Sequence, residues 1–140
     1  MKYYVDTCIW LNLFKKEERG GVQYWRFVHD FLEKIVFSET DHVVYSGIVL
    51  RELQILLGSA YDEKRKWFEN ETKFVKVDVL QADKEQARKW ESAYFFEISF
   101  YDLLHLAVCK RLDLHLVTRD NYLTNIAREN KVLVSKPEEL

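Results

Sequence analysis

The chain contains few of the residues that interrupt regular structure, with four glycines and one proline among 140 residues. Folds built from many β-hairpins need such residues in their turns, so this scarcity argues against an all-β fold and favours helices or an α/β arrangement. No apolar run approaches the roughly 18 residues that cross a membrane. The apolar stretch near the N-terminus is interrupted by Asp6 and Asn12 and lacks a small-residue cleavage site, so we expect a soluble protein that is not exported.

Cysteine content and net charge are also low. The two cysteines, Cys8 and Cys109, are far apart and form no CxxC pair. This predicts buried, reduced thiols in the cytoplasm rather than a disulfide framework or a zinc site. The 21 basic and 23 acidic residues leave a net charge of −2. No global field draws the chain to nucleic acid or to an anionic membrane, so any nucleic-acid site must be local.

Apolar and aromatic residues are abundant, at 48% and 15% of the composition. Such a composition excludes a disordered chain. The length is close to the commonest size of a protein domain. We therefore expect residues 1–140 to form a single domain.

Apolar periodicity predicts strands that alternate with helices. The predicted strands are Tyr3–Val5, His42–Tyr45, Phe74–Val77, Leu114–Val117 and Val132–Val134. Two helices precede the second strand, the second of them including Val22 after Gly20-Gly21, and the tail from Lys136 is expected to fray. The alternation predicts a three-layer α/β/α sandwich around a mostly parallel five-stranded sheet.

Four acidic residues fall where a strand gives way to a helix. Asp6 directly follows the first strand, and Asp120 follows the fourth strand after two residues. Glu52 lies little more than one turn into the helix after the second strand, and Asp102 lies in the first turn of a helix that begins at Ser99 or Phe100. Ligands of parallel α/β sheets bind outside the carboxyl ends of the strands. The sequence therefore predicts that these carboxylates face one another across one rim.

Taken singly, each acid also has a structural explanation. The segment Ser99–Asp102 fits a capping box, and Asp120 suits a helix N-cap. Asp6 suits the amides that begin the next helix. Glu52 suits a solvated helix position, although its apolar neighbours predict a largely buried helix where a lone carboxylate is costly.

Taken together, carboxylates on one rim repel one another unless they share a cation. Oxygen donors favour Mg²⁺ or Mn²⁺, and the four histidines do not have zinc-ligand spacing. His105, one turn after Asp102, is interpreted as a packed helix residue. A carboxylate-bound Mg²⁺ suits phosphodiester hydrolysis, since the ion polarises the phosphate and helps to generate hydroxide for in-line attack.

The chain resembles a PIN-domain ribonuclease, specifically a VapC-like toxin of a type II toxin–antitoxin system. The segments that carry the resemblance are Tyr4–Thr7, Ser46–Leu53, Asp102–Ala107 and Leu116–Asp120. Each is short, but together they are fairly specific, and their order agrees over essentially the whole chain. The resemblance implies a sheet whose strands have the order 3-2-1-4-5, counted along the chain. It also implies an endoribonuclease that hydrolyses RNA with Mg²⁺ or Mn²⁺.

The same resemblance implies roles for individual residues. The implied metal ligands are Asp6 and Asp102 as the principal pair, with Glu52 and Asp120 completing the site directly or through water. Thr118 would orient a water molecule or a carboxylate. The family often has Ser or Asn two residues after the first Asp, where this chain has Cys8, a poorer hydrogen-bonding partner.

RNA would be held by cations around the acids. The available clusters are Lys15-Lys16, Lys64-Arg65-Lys66, Lys110-Arg111 and Arg119. Most charge runs are solvated, and Arg119, next to Asp120, is the best placed of these. The 21 aromatic residues are more than a small core readily hides. We therefore expect a homodimer and a cognate antitoxin, with an Arg or Lys of the antitoxin entering among the carboxylates.

Three other interpretations share the fold pattern. A non-catalytic PIN-like domain that binds RNA or protein would lack part of the acid set, whereas all four acids are present. A receiver domain needs paired acids after the first strand and a Lys after a late strand. A haloacid-dehalogenase phosphatase needs a second Asp where this chain has Cys8. The non-catalytic PIN-like domain is the alternative that we retain.

Overall fold

The structure is a computed structural model that describes all 140 residues. The strands are β1 (Lys2–Val5), β2 (Glu18–Arg19), β3 (Val22–Gln23), β4 (His42–Ser46), β5 (Phe74–Val77), β6 (His115–Val117) and β7 (Val134–Ser135). The helices are α1 (Thr7–Phe14), α2 (Tyr24–Phe37), α3 (Gly47–Leu57), α4 (Tyr61–Asn70), α5 (Gln81–Ala93), α6 (Phe100–Leu112) and α7 (Asn121–Glu129). None of the helices is long and apolar enough to span a membrane.

Five of the strands form one sheet in the order β5-β4-β1-β6-β7, and every neighbouring pair is parallel. β1 is central, since Tyr4 pairs with Val44 of β4 on one side and with Leu116 of β6 on the other. Counted among these five strands along the chain, the order is 3-2-1-4-5. The predicted α/β fold with a parallel five-stranded sheet is confirmed.

The sheet is covered on both faces. Val43, Val44 and Tyr45 are consecutive residues of β4 and all three are buried. Because neighbouring side chains of a strand point to opposite faces, such a run is buried only where helices cover both faces. The α2 helix contributes an apolar stripe at helical spacing, made of Val28, Phe31, Leu32 and Ile35. The buried apolar residues form one cluster of 32.

The prediction that a helix includes Val22 is wrong. Val22 lies in β3, which pairs antiparallel with β2, and α2 begins at Tyr24. Between the two strands, Gly20 and Gly21 have φ angles of 56° and 81°. A two-residue turn with both central residues in the left-handed region matches the twist of a hairpin and favours Gly-Gly.

The C-terminal end also differs from the prediction. The last sheet strand is Val134–Ser135 instead of Val132–Val134. The tail is not frayed, since Pro137–Glu139 form a 3₁₀ turn in which Pro137 is buried. The Lys34 ammonium donates a hydrogen bond to the carbonyl of Leu140. Contacts with α2 therefore hold the end of the chain against the domain.

The parallel sheet gathers the strand ends at one edge. Asp6 follows β1, Gly47 begins α3 directly after β4, and Asp120 follows β6 after two residues. Because β4, β1 and β6 are neighbours in the sheet, the chain segments that leave their carboxyl ends lie side by side. This edge is where the predicted site residues are found.

Candidate functional site

Asp6 is a buried carboxylate at the end of the central strand, with 4% of its surface exposed. Its Oδ2 atom accepts a hydrogen bond of 2.8 Å from the Thr118 hydroxyl and a longer one of 3.2 Å from the Cys8 thiol. The side chain makes no hydrogen bond to the amides of α1, although Asp6 occupies the N-cap position. Helix capping therefore does not explain a carboxylate at this place.

Asp120 does cap a helix. Its Oδ1 accepts a hydrogen bond of 3.0 Å from the Leu123 amide at the start of α7, as the capping alternative predicted. Its own amide donates to the Thr118 hydroxyl over 3.2 Å. Thr118, fully buried, thus connects the backbone of Asp120 to the carboxylate of Asp6. The other carboxylate oxygen of Asp120 has no hydrogen-bond partner within the protein.

Asp102 lies in the first turn of α6. Half of the predicted capping box is present, because Ser99 Oγ accepts the Asp102 amide at 3.2 Å. Burial raises the pKa of the Asp102 carboxyl to about 6, with further contributions from the negative charges of Asp6 and Asp120. The three carboxylates therefore lie close enough to repel one another.

Glu52 reaches the same edge from α3 and is held by two hydrogen bonds. Its Oε1 accepts from the Thr7 hydroxyl at 3.0 Å and from His105 Nε2 at 2.6 Å. Its Oε2 has no hydrogen-bond partner within the protein. Because both donors act on one oxygen, the carboxylate is fixed in orientation while its second oxygen stays free.

His105 is the centre of a buried hydrogen-bonded chain. On its far side, Nδ1 lies 2.6 Å from the Tyr4 hydroxyl, which in turn lies 2.8 Å from Ser46 Oγ. In neutral His105 the Nε2–H donates to Glu52, so that Nδ1 accepts from Tyr4. Burial lowers the pKa of His105, but the hydrogen bond to Glu52 and the charges of Asp6, Glu52 and Asp102 outweigh it, so the net pKa is raised.

Sequence reasoning placed the acids at this edge but missed most of their supports. His105 was interpreted as a packed residue, and it is indeed fully buried, yet it also orients Glu52. The sequence placed Tyr4 in the first strand and Ser46 directly after the second, and it assigned no hydrogen bond to either. Their role could have been suspected because each places a hydroxyl in a run that is otherwise apolar, and a buried hydroxyl needs a hydrogen-bond partner.

The donors suit a hard divalent cation in type and in charge. All four side chains offer carboxylate oxygens, and neither Lys nor Arg forms an ion pair with any of them. No three His, Cys, Asp or Glu side chains converge closely enough here to hold a metal ion. The fit therefore consists of donor chemistry and uncompensated charge, rather than a preformed coordination shell.

Three of the eight cations predicted to flank the site, all of them arginines, form ion pairs with other residues. Arg119 pairs with Glu138 at 2.8 Å, donates to Asn12 at 2.9 Å and lies over the ring of Tyr24. Arg65 pairs with Glu69, and Arg111 pairs with Asp83. Because Arg119 is committed to these partners, its proximity to Asp120 in the sequence does not leave it free for RNA.

The sequence model of the PIN domain matches residues 3–129. No curated protein matches the sequence. Among solved structures, VapBC2 from Rickettsia felis bound to a promoter DNA fragment is similar with a TM-score of 0.70 and 18% identity, over 97% of this chain and 98% of that one. VapC20 from Mycobacterium tuberculosis, a toxin that cleaves the sarcin-ricin loop, is similar with a TM-score of 0.68 and 21% identity, over 89% and 94%. FitAcB from Neisseria gonorrhoeae has a TM-score of 0.65 and 18% identity, over 99% of both chains.

Replacing Tyr4 by Phe tests the buried hydrogen-bonded chain. The substitution leaves Ser46 Oγ and His105 Nδ1 without their shared hydroxyl, so we expect a loss of about 1–3 kcal/mol in the free energy of unfolding. Urea unfolding measures it. Tyr3→Phe is the matched control, because the Tyr3 hydroxyl makes no hydrogen bond and its removal should change little. Equal stability of the two variants would contradict the role assigned to the chain.

Replacing Asp102 by Asn tests whether the acids bind a shared cation. We expect Mg²⁺ or Mn²⁺ to raise the Tm of the wild-type protein, because an ion that binds only the folded state stabilises it. Asp102→Asn should lose this shift, while its metal-free Tm is equal or higher, since relief of carboxylate repulsion is worth about 1 kcal/mol. Asp62→Asn, at an exposed acid of α4, is the control. An unchanged metal-induced shift in Asp102→Asn would exclude Asp102 as a ligand.

Proposed function

Because this chain belongs to the PIN domain family, we propose that it is a divalent-metal-dependent endoribonuclease, the toxin of a toxin–antitoxin pair. The observation that carries the proposal is the environment of the Asp6 carboxylate. It is buried at the end of the central strand, lacks a cationic partner and caps no helix amide. An acid kept in such a place at a cost to stability favours a functional role.

The proposed metal ligands are the four acids at the carboxyl edge of the sheet. Asp6 and Asp102 are the principal ligands, and Glu52 and Asp120 complete the site directly or through water. When bound, Mg²⁺ or Mn²⁺ would supply charge for the scissile phosphate and a more acidic water molecule.

The remaining side chains act by positioning. Thr118 donates its hydroxyl hydrogen bond to Asp6 Oδ2, which fixes this oxygen and leaves Oδ1 without a hydrogen-bond partner in the protein. His105 and Thr7 do the same for Glu52. Preorganised acids of this kind can orient an attacking water molecule without rearranging during the reaction.

The retained alternative is a non-catalytic PIN-like domain that binds RNA or protein. Such a domain would have the same fold, but its binding would not require ionised acids with carboxylate oxygens that lack hydrogen-bond partners. The free oxygens of Asp6, Glu52 and Asp120 and the crowded charge around Asp102 favour the enzyme. The two functions differ in whether RNA is cut or only bound.

Partners form part of the same proposal. The structures of VapBC2 and FitAcB are similar along nearly the whole chain, which supports a cognate antitoxin for this protein. Large apolar side chains remain exposed, among them Phe37, Ile55, Phe95, Phe96 and Tyr122. Such exposure favours interfaces, in line with a homodimer and an antitoxin. The unpaired Cys8 and Cys109 agree with a reducing cytoplasm, where RNA would also be met.

Cleavage of RNA by purified protein tests the enzyme. We expect cleavage with Mg²⁺ or Mn²⁺ that stops in EDTA. Asp6→Asn should lower the rate on the order of 100-fold or more, since even the loss of an outer-shell partner costs about 10–100-fold. Asp62→Asn, at an exposed acid far along the chain, should cleave as the wild type does.

Two outcomes would contradict this. Failure of the wild type on a broad panel of single-stranded and structured RNAs, with either metal, would favour the non-catalytic alternative. Full activity of Asp6→Asn, with a normal melting curve, would remove Asp6 from the site while leaving the activity itself in place.

The oligomeric state and the antitoxin are tested together. Light scattering of the purified chain at high concentration should give the mass of a dimer. Expression with the neighbouring genes of its operon should yield a small copurifying protein that blocks RNA cleavage. A strict monomer with no such partner would count against both.

A further inference from the structure

An open cleft of about 910 Å³ lies beside the acidic edge. The first turns of α3, the end of β5, one face of α5 and the first turns of α6 form its walls. Its basic lining residues are Arg51, Lys76, Lys84, Arg88 and Lys89. The lining includes two carboxylates, those of Asp78 and Glu85. The cleft is therefore locally positive although the whole chain has a net charge of −2.

Most of these cations have no partner. Arg51, Lys76, Lys84 and Lys89 are exposed, and none of them takes part in an ion pair. Only Arg88 has one, with Glu91 at 2.9 Å. This differs from the arginines paired in the structure, such as Arg111 with Asp83. Four free cations on one concave surface are an arrangement suited to a polyanion.

Aromatic rings lie at the side of the cleft nearest the acids. Tyr101 is 49% exposed. Phe100 is half-buried, and the Arg88 guanidinium lies 3.8 Å from the centre of its ring. Grooves that bind single-stranded nucleic acid combine cations along the backbone with rings on which bases stack. An acidic peptide would use the cations but would gain little from the rings.

The cleft adjoins the two helices that carry Glu52 and Asp102. Arg51 and Tyr101 line the cleft, and each directly precedes a proposed metal ligand, Glu52 and Asp102. Arg51 and Glu52 lie on α3, and Tyr101 and Asp102 lie on α6; both helices begin at the carboxyl edge of the sheet. None of the four acids lines the cleft itself, so an RNA chain bound there has to extend past these two helices to reach the carboxylates.

We propose that this cleft binds the sugar–phosphate backbone of single-stranded RNA next to the bond that is cut, with a base stacked on Tyr101. The inference rests on the proposed ribonuclease function. Lys84 and Lys89 hold phosphates through their free ammonium groups. The cleft thereby supplies the attraction for RNA that the acidic edge itself cannot supply.

Binding measured without cleavage tests the cleft independently of catalysis. The probe is a fluorescein-labelled oligouridylate, whose anisotropy is followed in EDTA so that no metal-dependent cleavage occurs. We expect Lys84→Gln/Lys89→Gln to weaken binding roughly tenfold at low salt. The same variant should reduce the salt slope by about 1.4, because each lysine that neutralises a phosphate of a single strand contributes roughly 0.7. Tyr101→Ala should weaken binding by about fivefold or more.

The matched control is Lys2→Gln/Lys131→Gln. It removes the same charge from two exposed lysines that neither line the cleft nor form ion pairs. This control should bind the probe as the wild type does. In cleavage assays with Mg²⁺, the Lys84/Lys89 double variant should raise KM with little change in kcat, which a loss of folding would not produce.

Each outcome separates the cleft from the catalytic proposal. If the Lys84/Lys89 variant had unchanged affinity, salt slope and KM, the proposed RNA-binding role of the cleft would be wrong even if the wild type cuts RNA. Cleft-dependent binding by a protein that cuts no RNA would support the cleft and overturn the nuclease. Equal competition by a polyglutamate peptide, with no effect of Tyr101→Ala on RNA binding, would overturn the RNA assignment and favour an acidic peptide.

Discussion

The hydrogen-bonded chain from Ser46 through Tyr4 and His105 to Glu52 is the contact on which the acidic edge depends. It joins four elements that are distant in the sequence, namely β4, β1, α6 and α3. Every hydrogen-bonding group in it except the Glu52 carboxylate is buried, so breaking any link leaves an unsatisfied polar group in the core. The chain thus fixes the orientation of Glu52 from inside the sheet, while Glu52 itself faces outward.

Two buried aspartates differ in whether a cation of the protein compensates their charge. Asp83 is 2% exposed, accepts the Leu80 amide at 2.8 Å and is paired with Arg111 through two nitrogens. Asp6 is 4% exposed and has a hydroxyl and a thiol as its donors, with no cation. A carboxylate that only stabilises the fold is expected to look like Asp83, because burial of a charge requires compensation. This difference supports the proposal that a cation from outside the protein compensates the charge of Asp6.

The positions of the acids were predictable because they depend on local order along the chain. A residue that follows a strand of a parallel sheet lies at the carboxyl edge, whatever the rest of the fold is. The positions of Asp6 and Asp120 could therefore be predicted from the strands alone. The hydrogen bond between Tyr4 and His105 joins residues 101 positions apart, and no periodicity encodes it. The Gly20-Gly21 hairpin was readable from its turn residues, yet the helical spacing of Val22 with later apolar residues obscured it. The ordered tail depends on a contact with Lys34 that only the folded chain brings about.

The same distinction explains why the cations suggested by the sequence differ from those that line the cleft. Runs such as Lys64-Arg65-Lys66 are visible as clusters, but on a helix the members of a run point in different directions, and Arg65 pairs with a Glu one turn away. The residues that line the cleft are scattered along the chain, and packing of α3, α5 and α6 beside β5 brings them together. A chain with no excess of positive charge thereby acquires a positive surface next to a negative one. Since screening weakens fields beyond about 8–10 Å, what decides an RNA contact is this local charge rather than the net charge. The proposed catalytic role of the acidic edge and the proposed RNA substrate are therefore compatible in one small domain.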